Sequence, residues 1–108
     1  MSYQIEFAES VREHLEAVAA NERAEVLHAI EEQLTHEPLS ETRNRKRLRP
    51  NPVAPWELRV GTIRGFYEVQ EADPEKTGES EVTGIVYVLA IGKKEGNVLR
   101  IGGKRVDL

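Results

Sequence analysis

There is no cysteine in the 108 residues of this chain, and it holds one methionine and one tryptophan. Without thiols neither a disulfide framework nor a thiolate metal site is available, and the composition suits a reducing cytoplasm, the expected location. No stretch approaches the ~18 apolar residues of a membrane helix, and the opening MSYQIEFAES lacks a basic region followed by an apolar run, so the chain reads as soluble and untargeted, with no membrane partner. No HExxH spacing occurs, and no Gly-rich loop joins a strand to a helix, since Gly102-Gly103 lacks that context. No cofactor and no metal site are expected. His14, His28 and His36 lie among glutamates in the helical part and read as surface groups; His14 with Glu13 and Glu16, or His28 with Glu25 and Glu32, makes at most a weak metal pair. A single domain of this length carries one core and leaves a surface groove as the expected kind of site.

The net charge of −4 is unevenly spread. Residues 1 to 40 sum to −7, 41 to 70 to +4, 71 to 81 to −4 and 82 to 108 to +3. Local potential governs contact with phosphates more than the total does, so the basic strands remain compatible with a polyanion.

In chain order, Tyr3, Ile5 and Phe7 alternate with polar residues and predict a strand. Ser10 with Glu13 has capping-box spacing and opens a helix over about 11 to 20, with Val11, Leu15 and Val18 at helical intervals. Asn21 caps a second helix with Leu27, Ile30 and Leu34 as its buried stripe, ended before Pro38; the two form an antiparallel hairpin, one long bent helix being the alternative. Residues 38 to 55 hold four prolines and the basic cluster Arg43, Arg45, Lys46, Arg47 and Arg49, an extended connection touching the core at Leu39 and Leu48. Residues 70 to 81 read as a long acidic loop. Gly84 to Ile91 is nearly all apolar, as in a central strand covered on both faces; Gly92 to Asn97 reads as a basic turn, and Val98, Leu99 and Ile101 as a last strand before the tail GGKRVDL.

The centre of the chain is WELRVGTIRGFYEV, residues 56 to 69. Trp56, Leu58 and Val60 alternate with Glu57 and Arg59, Gly61-Thr62 supplies a turn, and Ile63 to Val69 is rich in β-branched and aromatic residues. Arg59 and Arg64 therefore lie near one turn, within roughly 5–8 Å if they share a face. The expected fold is α+β: an N-terminal strand, a two-helix hairpin, then a three- to four-stranded antiparallel sheet with the helices packed on one face.

On the order of these segments the chain resembles the RelE/ParE superfamily of toxins from type II toxin–antitoxin modules. The resemblance rests on Trp56-Glu57-Leu58-Arg59-Val60-Gly61 with Ile63-Arg64 and Phe66-Tyr67-Glu68-Val69, on the opening strand and helix pair, and on Val88-Leu89-Ala90-Ile91-Gly92-Lys93-Lys94. It implies a RelE-like toxin that cuts mRNA in the ribosomal A site, with the ribosome, mRNA and a cognate antitoxin as partners. A ParE-like inhibitor of DNA gyrase, acting without catalysis, is the alternative, and a degenerate antitoxin-binding protein a third. Pro55 and Glu57 stand where the best-studied nuclease type has lysines, and Leu99 or Arg100 where it has a tyrosine.

The resemblance implies a catalytic set of Arg64 for charge stabilisation, Arg59 for phosphate positioning and Lys93 or Lys94 for proton transfer, with Tyr67 donating a hydrogen bond if it faces the groove. Arg43, Arg45, Lys46, Arg47, Arg49, Lys93 and Arg100 are the candidate RNA contacts. The basic run could instead meet an acidic antitoxin segment. Leu27, Ile30 or Leu34 would meet the antitoxin if the helix stripe exceeds what the core needs. The plain alternatives are a salt bridge from Arg64 to Glu57 or Glu68, solvated lysines, and Trp56 and Tyr67 as packing residues.

Overall fold

Alternating apolar residues on both sides of Gly61 produce the central hairpin of this computed structural model, which describes residues 2–72 and 82–108. Strands β3 (Trp56–Val60) and β4 (Ile63–Glu71) pair antiparallel, with Gly61 at φ 61°, a conformation a Cβ would disfavour. Upstream lie β1 (Ser2–Phe7), α1 (Val11–Glu16), α2 (Ala20–Leu34) and β2 (Arg45–Arg47). Downstream follow β5 (Val82–Glu95), β6 (Val98–Ile101) and β7 (Lys104–Val106). The fold is α+β, and its sheet is larger than the spacing predicts. Six strands run in the order β2-β3-β4-β5-β6-β7 with every neighbouring pair antiparallel, and β1 joins β5 in parallel.

Strand β5 shares one edge between two partners. Its first half pairs with β1 through Phe7↔Val88, and its last residues pair with β6 from Gly92↔Ile101 onward. The chain leaving β1 closes the gap: the Ala8 N–H donates to the Val88 carbonyl at 2.8 Å, and the Ile91 N–H donates to His14 Nδ1 at 3.2 Å. Pairing satisfies backbone groups that would be costly to bury alone. The expected basic turn over 92 to 97 is therefore mostly strand, with the reversal at Gly96 and Asn97 only. The tail residues 104 to 106 form a strand as well.

The helices also differ from expectation. The first stops at Glu16, four residues early, because Arg23 donates from Nε to the Leu15 carbonyl at 3.0 Å and from Nη2 to the Val18 carbonyl at 3.3 Å, satisfying acceptors a longer helix would have used. The second begins at Ala20, where Glu22 accepts from the Ala19 N–H at 3.1 Å, so Asn21 is not its cap. Val26, Ala29, Ile30 and Leu34 are its buried stripe; Leu27 is half-buried. Ile30 and Leu34 are consumed by the core, which joins them to Leu58, Tyr67, Val88 and Ile91.

A smaller apolar cluster lies on the opposite sheet face, where Phe66, Ala90 and Leu99 are covered by Leu48, Val53 and Ala54. Asn51 shapes that cover: its Oδ1 accepts from the Val53 and Ala54 N–H groups at 2.8 and 3.1 Å, and its Nδ2 donates to the Arg49 and Ala54 carbonyls at 2.8 Å each. Leu39 stays exposed; Pro38 and Ala54 are the deep anchors of the connection, with Leu48 half-buried as expected. The predicted acidic loop falls mainly on 73–81, outside the described residues. Among the described residues no helix is long and apolar enough to cross a membrane.

Candidate functional site

The two sheet faces sort the expected site residues. Strand alternation carries Glu57 and Arg59 to the face away from the helices, and cross-strand register sets Arg64 directly opposite Arg59 and Gly92 directly opposite Arg64. A register shift at Phe66/Tyr67 inserts Leu89 as an extra residue in β5, so Tyr67↔Val88 lies on the helix face while Phe66↔Ala90 lies on the other. That shift turns Lys94 to the side of Arg64. Glu57, Arg64 and Lys94 line one hollow together with Asn97, Leu99, Val106, Asp107 and Leu108.

Within the hollow, Arg64 is held rather than free. Its Nη1 donates to the Gly61 carbonyl at 2.7 Å and to the Ile63 carbonyl at 3.0 Å, and the residue is 9% exposed. Nε lies 3.5 Å from Glu57 Oε1 and makes no hydrogen bond among the described residues. The same Glu57 oxygen is 3.9 Å from Arg59 Nη2. Burial lowers the Arg64 pKa, the facing Arg59 charge lowers it further, and Glu57 opposes both. The two arginines sit as like charges on paired positions, with one carboxylate between them. Of the two salt-bridge partners the sequence offers Arg64, Glu57 is the one it has.

Other expected residues lie elsewhere. Lys93 points to the helix side and pairs with Glu22 Oε2 at 3.1 Å, so it is parted from Lys94 by the thickness of the sheet. The hydrogen bond from Lys93, followed by that from the Ala19 N–H, holds the Glu22 carboxyl below the usual carboxylate range. Arg100 pairs with Lys93 in register and shares its face, away from the hollow. Tyr67 is fully buried, stacks on Trp56 with centroids 6.0 Å apart, and donates to the Pro38 carbonyl at 2.6 Å. Burial pushes its phenol pKa up, and it faces the core instead of the groove. Both aromatics are packing residues.

Arg45 leaves the RNA-contact set, because it is 7% exposed and ties the end of α2 to the following segment. Its Nη1 donates to the Gln33 carbonyl at 2.9 Å and its Nε to the Ser40 carbonyl at 3.1 Å, with Glu37 Oε2 3.6 Å from Nη2. Arg43, Lys46, Arg47 and Arg49 are exposed. Lys46 pairs with Glu57 in register and so shares the face of the hollow, and a neighbouring depression lined by Lys46, Arg47, Arg49 and Asn51 meets the hollow at Leu108.

His14 is the residue sequence reasoning misplaced. It is half-buried and its Nδ1 is an acceptor, so the proton of the neutral ring sits on Nε2. Burial lowers its pKa, with Glu13 pulling the other way. The available signal was its place three residues after Val11, on the same helix face. Among the described residues no group of three or more metal-ligating side chains comes together. No protein-family model matches the chain, and no protein of curated function matches it either.

Proposed function

We propose that the chain is a RelE-like toxin of a type II toxin–antitoxin module that stops translation by cleaving mRNA on the ribosome. The observation that carries this reading is that Arg59, Arg64 and Lys94 share one sheet face beside an open hollow. Three cations so grouped suit a phosphodiester and the charge that grows on its oxygens as the bond breaks. Arg64, fixed by two carbonyls, stabilises that charge; Arg59, 49% exposed at its side chain, holds the adjoining phosphate. As the 2′-oxygen bonds to phosphorus and the P–O5′ bond breaks, Lys94 is the amine that protonates the leaving 5′-oxygen and the 2′-OH proton passes to solvent water, while the ribosome supplies the geometry that brings the 2′-OH into line. Arg43, Lys46, Arg47 and Arg49 extend the contact along RNA, and a cognate antitoxin is the protein partner.

One observation favours a second reading. Glu57 lies within 4 Å of both arginines and offsets part of their charge, which suits a ParE-like gyrase inhibitor that works by surface contact and not by chemistry. Primer extension on a defined mRNA in programmed 70S ribosomes tests the first reading. Cuts inside the A-site codon that vanish with Arg64→Ala support the nuclease. An intact message removes it, and loss of gyrase supercoiling in the presence of the protein would then establish the second.

A further inference from the structure

The Glu57 carboxylate is oddly placed for a stabilising ion pair. Its side chain is 13% exposed, it stands 3.5 Å from Arg64 Nε and 3.9 Å from Arg59 Nη2, and Arg64 Nε has no hydrogen-bond partner among the described residues. Those separations exceed hydrogen-bonding distance, so the carboxylate is near both guanidinium groups and bonded well to neither. Arg64 itself does not need Glu57 for its orientation, since two backbone carbonyls fix Nη1. What Glu57 does is cover Nε and supply negative charge between two facing arginines that repel each other.

We propose that Glu57 is a displaceable internal anion that sets the affinity of the Arg59–Arg64–Lys94 site: a phosphate group enters by taking the place of this carboxylate. This rests on reading that face as a phosphate site. Displacement is a fixed cost borne by any ligand. A lone phosphate recovers it only from Arg64 and Arg59, whereas a phosphodiester chain also gains from Lys94 and from Lys46, which lies opposite Glu57 on the next strand. Glu57 therefore raises the threshold so that only a ligand with several phosphates opens the site. Phosphate is isosteric enough with two carboxylate oxygens to bridge the arginines with shorter, charge-assisted bonds. The Arg64 guanidinium, already rigid, loses little freedom in the exchange.

The test is titration of the purified protein with inorganic phosphate, followed by the backbone amide resonances of residues 57 to 65, for the native chain, Glu57→Gln and the double variant Glu57→Gln/Arg64→Gln. Glu57→Gln keeps the shape and removes the charge, and phosphate should bind about tenfold more tightly, the effect of ~1.4 kcal/mol from one charge at close range. The double variant should lose that gain. Equal phosphate affinity in the native chain and Glu57→Gln overturns the proposal, as does a gain that persists in the double variant, since the anion would then be binding elsewhere. A Glu57→Gln protein that denatures at much lower urea concentration with unchanged phosphate binding would mark Glu57 as a structural ion pair and overturn it too. The ribosome plays no part in this titration. A native chain that cuts mRNA, with phosphate affinity no higher in Glu57→Gln, removes the displaceable anion alone, and a tenfold gain without mRNA cleavage removes the nuclease alone.

Discussion

Replacing Arg45 with alanine separates a folding role from the proposed RNA-binding role within one basic run. The guanidinium is 7% exposed and supplies donors to the Gln33 carbonyl at 2.9 Å and the Ser40 carbonyl at 3.1 Å. The Gln33 carbonyl sits at the end of α2, where helix acceptors lack internal partners, and its bond to a charged donor is worth ~2 kcal/mol. Ser40 is exposed, so water takes over much of that second bond and its loss amounts to roughly 0.5 kcal/mol. Glu37 is 67% exposed at its side chain, and its pair with Arg45 adds roughly another 0.5 kcal/mol after screening. The expected total is about 3 kcal/mol, a shift in urea midpoint of about 1.5 M at a slope of ~2 kcal/mol/M. Arg47→Ala, two residues on and exposed, should change stability by less than ~0.5 kcal/mol. RNA affinity measured against salt completes the comparison: Arg47→Ala should lower the salt slope by about one, whereas Arg45→Ala, assayed well below its midpoint, should leave it alone. A stability loss under ~1 kcal/mol for Arg45→Ala, or a reduced slope in that variant, would refute the assignment of Arg45 to the fold.

The two adjacent lysines should behave differently: Lys94→Ala lowers A-site cleavage by about 100-fold in kcat, while Lys93→Ala leaves cleavage intact and costs at most ~1 kcal/mol in urea denaturation, because its partner is Glu22 on the helix side. His14 has a folded pKa below its ordinary 6.5, so its contribution to stability is present above that value and is lost as pH falls through it toward the folded pKa. Urea midpoints measured between pH 7 and 5 should decline in the native chain more than in His14→Gln; parallel curves would show that the Ile91 N–H contact does not depend on the neutral ring. Gly92→Ala places a Cβ 2.9 Å from the Arg100 carbonyl oxygen and should cost roughly 1–3 kcal/mol by forcing β5 and β6 apart, read from the same denaturation.

The hairpin was legible because Trp56, Leu58 and Val60 alternate and Gly61 marks the reversal, so period and turn chemistry agree. Strands β2 and β7 were not, since RKR and KRV carry no apolar alternation. They are recruited by the open edges of β3 and β6, a tertiary cause with no local trace. Arg45 was hidden by its neighbours: in a run of exposed cations nothing local marks the one that turns inward, although its register partner Leu58 belongs to the core. The helix boundary was missed because Arg23, seven residues beyond Glu16, reaches back to cap it.

The lysine pair shows why a cluster of charges can be legible in composition and unresolved in position. Counting by twos from buried Val88 puts Ala90, Gly92 and Lys94 on the helix face, and Lys93 on the face of Arg64. Leu89 breaks that count. As one extra residue opposite the Phe66/Tyr67 step it reverses the alternation of everything after it, so Ile91 enters the core, Lys93 meets Glu22 and Lys94 joins the hollow with Arg64. A bulge of this kind also bends the strand where it occurs. Here it falls where β5 passes from β1 to β6, between the Ala8 and His14 contacts that close the gap. The irregularity thus coincides with the change of strand partner on the other edge of β5 and sends Lys94 to the face that already carries two arginines and Glu57.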